Sequence, residues 1–461
     1  MITRILRIIL FVQLVNMGIC CAQADTPARR VFNEWVSAFN SSDAAKLPSF
    51  WQKYGSGEQG SQVSRDRGLH DMTGGFTILN ITQDTGSHLV ASMKDNRGGY
   101  AEITLDLAST EPPVIKSILG HPVPPPPSEH SPSANAQELA ELVEAHAANL
   151  LQNDEFSGAI LISQRDQPIL KRAWGMANRE QKIKNTADTQ FCIGSMNKMF
   201  TAVAVLQLVQ GGKLSLDGIL ANYWPDYPNH ELASRVKIRQ LLNHTAGTGD
   251  IFTPEYDAQR LQIRTLDDYV RLFGNRPLRF EPGSKFEYSN YGYILLGRLV
   301  EIVSGEAYQN YVRGHIYSPA GMTHTDSRPE AEPVTNRAVG YTHGPGGLQP
   351  NTATLPWSGT SAGGGYSTAG DLSMFAAALR AGKLLDLKLV KEATSDQSGT
   401  GYGYGFNILR DGGFGHGGGA PGINGELRIF PNGYTVVVLE NLDPPSATAV
   451  ANFIESKLPA N

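Results

Sequence analysis

Phe191-Cys192-Ile193-Gly194-Ser195-Met196-Asn197-Lys198-Met199-Phe200-Thr201-Ala202-Val203-Ala204-Val205-Leu206 is the stretch on which the reading of this chain turns. A glycine opens a run that is apolar almost all round, and Gly211-Gly212 closes it, so the pattern predicts a buried helix. Ser195 and Lys198 stand at i and i+3, on one face of its first turn. Burial and the positive end of a helix both disfavour an ammonium. The lysine pKa is therefore expected to fall from about 10.4 toward a value at which Lys198 takes a proton from Ser195. Ser234 to Lys237 repeats the spacing without such a helix behind it and reads as surface.

Outward from this helix the periodicity changes. Gln137 to Gln152 is amphipathic, and Gly158 to Ser163 and Ile169 to Trp174 read as paired strands. Helices dominate the middle of the chain. Strands return at Glu426 to Phe430 and Tyr434 to Glu440, joined by the turn Pro431-Asn432-Gly433, and a helix closes the chain up to Lys457. Strands at both ends with helices between predict an α+β domain over 136–461. Its antiparallel sheet holds the first and last strands side by side, flanked by helices, and a helical insertion forms a cleft.

The proline-rich segment from His121 to Asn135 is expected to be an extended linker (121–135). Before it, 25–120 read as a small α+β accessory domain. Val31, Trp35 and Phe39 fall at helical spacing, and Phe76 to Ile81, His88 to Met93 and Tyr100 to Leu107 as strands. The first 24 residues carry Arg4 and Arg7, an apolar run from Ile8 to Ile19, and Ala22-Gln23-Ala24. They read as a signal peptide cleaved after Ala24, so the mature protein is expected to be exported, periplasmic or extracellular. The run is shorter than the roughly 20 residues that span a bilayer, and no stable membrane insertion is expected. With 39 basic and 44 acidic residues the net charge is −5, which suggests neither nucleic acid nor an anionic membrane surface as a partner. After cleavage Cys192 is alone, so no disulfide framework exists and the thiol reads as a small buried hydrophobe.

Two further motifs have distinctive frames. Tyr288-Ser289-Asn290 follows Phe280-Glu281-Pro282-Gly283 and precedes Tyr291-Gly292-Tyr293, a proline turn leading into a helix start, whereas the Tyr-x-Asn matches at Tyr227 and Tyr308 read as ordinary turns. His416 opens Gly415-His416-Gly417-Gly418-Gly419-Ala420-Pro421-Gly422, a stretch without Cβ bulk against whose backbone a substrate could lie. No metal motif or phosphate-cradling loop is present in the sequence, and no cofactor is expected. His244 and His343 read as structural.

Taken together and in this order, these motifs resemble the serine β-lactamase and penicillin-recognising superfamily. The likeness is to its class C β-lactamases, D-alanyl-D-alanine carboxypeptidases and β-lactamase-like esterases. It spans about Asn135 to Leu458 and includes Leu241-Leu242-Asn243-His244-Thr245-Ala246-Gly247 and Gly363-Gly364-Gly365-Tyr366-Ser367-Thr368. It implies a β-lactamase/transpeptidase-like fold with Ser195 as the acylated nucleophile. Lys198 and Tyr288 would exchange its proton, and Asn290, His416 and Gly418 would bind substrate. The backbone N–H groups of Ser195 and Gly419 would form the oxyanion hole, each donor worth about 3 kcal/mol in the transition state.

One departure from the family pattern shapes the expected substrate. Many relatives have lysine where His416 stands, so the grip on a substrate carboxylate is expected to be weaker, with weak or no β-lactam hydrolysis. The expected partner is a small ester, amide or peptidoglycan-like peptide, and the expected activity that of an esterase or D-amino-acid peptidase. Holding Tyr288 as an anion near pH 7 would require lowering a pKa of about 10 by some three units, about 4 kcal/mol. That leaves open which of Lys198 and Tyr288 is the base, with a rate expected to climb from pH 7 toward 9. Two rival readings stand beside this one. The first is a protein that binds or acylates such ligands without turnover. The second is an α/β-hydrolase using Ser361 of Gly359-Thr360-Ser361-Ala362-Gly363, with Asp411 and His416 downstream.

Overall fold

The structure, a computed structural model, describes residues 26–459 except 56–58, 97–98, 124–132, 134, 345 and 410. The signal segment and most of the proline-rich linker lie outside the described residues. The chain divides into two compact units, and the first ends at Pro122.

The first unit carries helices α1 (Pro27–Phe39), α2 (Lys46–Tyr54) and α3 (Gln59–Thr73) and strands β1 (Phe76–Asp84), β2 (His88–Asp95), β3 (Tyr100–Thr110) and β4 (Pro113–Val123). The strands form one sheet in sequential order. Its core is aromatic, with Trp35, Phe39, Phe50 and Trp51 buried. Both indole N–H groups donate to Oδ2 of the buried Asp66, each at 2.9 Å. Sequence reasoning yields one helix and three strands here. It misses α3 because that helix has little amphipathic contrast. It misses β4 because prolines flank its start and because its last three residues, from His121, read as linker.

In the second unit, α4 (Ala136–Gln152) leads into β5 (Gly158–Gln164) and β6 (Gln167–Trp174), and the predicted buried helix is α5 (Asn197–Gln210). Further on come α6 (Asn290–Ser304), α7 (Ala369–Arg380), β7 (Phe414–Ala420), β8 (Ile423–Ile429), β9 (Tyr434–Glu440) and α8 (Ser446–Lys457). The main sheet is antiparallel, ordered from a short edge strand Asn407–Ile408 through β7, β8, β9, β5 and β6. First and last strands are therefore neighbours, as the sequence predicts, with Val437 opposite Leu161. β9, rich in valine, is buried along its whole length, as a central strand covered on both faces must be. Alternation then sorts the two faces. Ile160, Ile162, Val436 and Val438 pack on α4 and α8, whereas Leu161, Val437 and Leu439 face the helical insertion that contains α5, α6 and α7.

The site depends on how closely β7 approaches the start of α5. Gly194 has φ +52°, and a Cβ there would stand 3.2 Å from the Gly419 nitrogen; a Cβ on Gly418 would stand 2.0 Å from the Ile193 carbonyl oxygen. Glycine is thus required by its positive φ at Gly194 and by contact at Gly418. Gly418→Ala is expected to destabilise the protein by about 1–3 kcal/mol through forced backbone movement. Gly314→Ala, at a position with open space around it, is expected to leave the melting temperature unchanged. Thermal unfolding of the two variants checks this, and equal melting temperatures would contradict it.

Candidate active site

Ser195 lies in the 3-10 turn Gly194–Met196 that feeds α5, and Lys198 is the second residue of α5. The lysine side chain is fully buried. Its Nζ lies 3.2 Å from Ser195 Oγ and 2.7 Å from Asn290 Oδ1, and it also donates to the Ala362 carbonyl. A neutral amine has two N–H donors and one lone pair. The amide and peptide oxygens take the two donors, which leaves the lone pair to the Ser195 hydroxyl. Burial lowers the Lys198 pKa to about 7, against an opposing pull from the Asp250 carboxylate.

Tyr288 reaches the same point from the loop before α6. Lys198 Nζ sits 4.7 Å from its ring centre, and its hydroxyl lies near enough to Ser195 for that neighbour to pull its pKa down. Burial raises the phenol pKa, and the Ser195 contact only partly offsets that rise. Tyr288 is accordingly neutral over the physiological range, and the anion weighed from the sequence is disfavoured. Asn290 is the first residue of α6, whose N-cap is Ser289. Its amide donates to Asp250 at 3.0 Å and 3.2 Å, which turns its oxygen toward Lys198.

β7 delivers the remaining candidates differently from the sequence expectation. Gly419 is exposed and lines the cleft, and its nitrogen packs against Gly194, next to Ser195. Gly418 is buried against Ile193 rather than open to a ligand. His416 is 4% exposed and both its ring nitrogens are engaged, Nδ1 with the Gly417 carbonyl at 2.6 Å and Nε2 with the Tyr402 hydroxyl at 3.0 Å. Burial and the neighbouring Lys198 depress its pKa to about 3. His416 and Gly418, expected from the sequence to bind substrate, are not among the residues that line the cavity in front of Ser195. Both are internal supports of the cleft wall, because the glycines that make the stretch look open let it pack tightly instead.

Ser361 is fully buried with its hydroxyl unpartnered, so it cannot meet a substrate from this position. The glycine-rich loop around it clamps α5 instead. Thr360, Ser361 and Ala362 present carbonyls to the side chains of Asn197, Thr201 and Lys198. Sequence reasoning misses the Ala362 carbonyl, Asp250 and Tyr402. It reads His244 as structural, and the buried ring accepts the Ser289 N–H at Nδ1 and packs at a tilt against Tyr288, ring centres 4.2 Å apart.

The cavity in front of Ser195 measures about 300 Å³. Ile251, Phe252, Tyr256, Tyr269, Leu355, Pro356 and Ile423 make much of its wall apolar, and Gly194, Asn290, Ala362 and Gly419 lie at its base. Asp257 and Glu330 are the charged side chains among its described lining residues. Cys192 also lines it, with a thiol pushed up to about 11 by burial and the Glu330 charge, which keeps it protonated and unreactive near neutrality.

The family model described as Beta-lactamase matches residues 139–458. The putative penicillin-binding protein PbpX of Bacillus subtilis is 31% identical over 295 residues, 63% of this chain and 72% of that protein. Among solved structures, a penicillin binding protein from Bacillus halodurans superposes with a TM-score of 0.61 at 32% identity, covering 68% of this chain and 99% of the other. The D-amino acid amidase from Ochrobactrum anthropi SV3 gives 0.60 at 25% identity, covering 69% and 97%. With a buried lysine against a serine at the mouth of the helix, and a family match over residues 139–458, this chain belongs to the β-lactamase family of serine hydrolases.

Proposed function

We propose that this protein is an exported acyl-enzyme hydrolase that cleaves small esters or D-amino-acid amides lacking a carboxylate beside the scissile bond. The observation that carries this reading is the 3.2 Å contact between Ser195 Oγ and a lysine whose pKa burial brings down to about 7. Ser195 Oγ attacks the carbonyl carbon while its proton passes to Lys198 Nζ. The oxyanion is held by the N–H groups of Ser195 and Gly419. Collapse expels the alcohol or amine, which takes a proton relayed from Lys198 through the neutral Tyr288 phenol. Water then hydrolyses the acyl-enzyme by the reverse relay.

The substrate preference follows from charge. His416 is neutral and occupied, Glu330 is paired with Arg337, and no lysine or arginine stands among the described residues lining the cavity, so a carboxylate at the scissile bond finds no cationic partner there. The apolar wall favours an acyl or aromatic group. The neighbouring amidase supports the amide half of this reading, and the apolar leader at 1–24 supports export.

Two measurements check the proposal. In a panel of a p-nitrophenyl ester, a D-amino-acid anilide and a chromogenic cephalosporin, the first two should turn over at least about a hundredfold faster than the third, and Ser195→Ala should abolish all turnover. Activity retained by Ser195→Ala, or a cephalosporin preference, would overturn the reading. With Lys198 as the base and a pKa of about 7, its acceptor form is lost as pH falls, so kcat/KM should rise about tenfold from pH 6 to pH 8 and stay nearly level to pH 9. A rate still climbing steeply between 8 and 9 would return the base role to Tyr288.

A further inference from the structure

We propose that Asp250 is a positioning residue for this site, fixing the Asn290 side-chain amide so that its oxygen, and not its nitrogen, holds Lys198 in reach of Ser195. The inference rests on Ser195 being the nucleophile and Lys198 its base.

The geometry is a two-step relay. Asp250 Oδ1 accepts the Asn290 backbone N–H at 3.2 Å and its Nδ2 at 3.0 Å, and Oδ2 accepts the same Nδ2 at 3.2 Å. A carboxylate has no donor, so it selects one of the two orientations of the amide. The reversed amide would turn its NH₂ group toward the lysine amine and leave that amine one acceptor short. Asp250 is itself held. Its Oδ1 accepts the Ile251 N–H at 2.7 Å, Arg276 donates to its carbonyl at 3.0 Å, and the preceding Gly249 carbonyl accepts the Ser289 hydroxyl at 2.5 Å. Gly247 and Gly249 take positive φ, of +75° and +70°, which lets the chain turn back toward α6. The carboxylate also lies at the N-terminus of α6, where a negative charge is favoured.

Asp250 exerts a second effect, on the charge of the lysine. The titratable groups facing Lys198 are Ser195 on its own turn, Tyr288 and Tyr293 with ring centres at 4.7 Å and 5.4 Å, His244 from the 243–250 loop and His416 from β7. Burial keeps both histidines neutral. Asp250 is the carboxylate whose attraction reaches the amine, and it opposes burial. Its negative charge therefore keeps the base from becoming too weak to take the serine proton.

The test is Asp250→Asn, with kcat and KM followed from pH 5 to 9 and the melting temperature recorded alongside. The expected result is a fall in kcat of about tenfold or more with KM changed less than about twofold. The acid limb should move to lower pH by roughly half a unit to one unit, because removing the carboxylate charge favours the neutral amine. Asp250→Glu, which keeps the charge, should leave the limb in place. A fall in activity with an unmoved limb would mean a merely structural role and overturn the inference, as would an unchanged kcat. If Asp250→Asn does not fold, Asn290→Ala breaks the same relay with Asp250 intact. It should lose at least about tenfold in kcat, and a wild-type rate would overturn the inference. Failure of the underlying serine–lysine chemistry looks different, since Ser195→Ala would then retain activity whatever happens at position 250.

Discussion

The site depends on a lysine side chain with no exposure to water. An ammonium there would forfeit its hydration and meet no carboxylate in direct contact, so the pKa falls to about 7 and a large share of the side chain is neutral amine near pH 7. Two fixed acceptors, the Asn290 amide oxygen and the Ala362 carbonyl, consume its donors and aim its lone pair at Ser195. The hydroxyl is thereby offered a base without any histidine in the relay, and the two buried histidines nearby serve the packing of the wall.

The fold can be read as the set of contacts needed to keep that amine dry and aligned. α5 is buried on every side, so its first turn has nowhere to move. β7 presses its glycines against that turn and brings the Gly419 nitrogen beside Ser195. The 359–365 loop closes over the helix from a second side with a row of carbonyls, and the 243–250 loop anchors the start of α6 through His244, Thr248 and Asp250. Three segments far apart in the chain, carrying Ser195, Asn290 and Ala362, meet at one nitrogen atom, and the other two, β7 and the 243–250 loop, hold them in place.

Much of this is legible in the sequence where chemistry is written in local spacing. Ser195, Lys198, Tyr288 and Asn290 each sit at a recognisable helix start, and strands read at both ends of the domain announce adjacent terminal strands. What escapes reading lies in contacts without a local signature. The Ala362 carbonyl is a backbone group that any residue could supply, and Asp250 acts from a loop whose course is set by two glycines and a distant serine. His416 is misjudged from sequence because a run of glycines reads as open backbone, whereas the missing side chains allow β7 to pack against Ile193 and bury the imidazole. In the first unit β4 is hidden by the prolines at its start.

The central claim is the charge of one amine, and it can be observed without a substrate. In protein labelled with 15N at the lysine Nζ, the resonance missing from Lys198→Met should titrate with a midpoint near 7. A midpoint for Lys198 at the ordinary value near 10.5 would mean that the ammonium is stable where it is buried, and that Lys198 is not the base that activates Ser195.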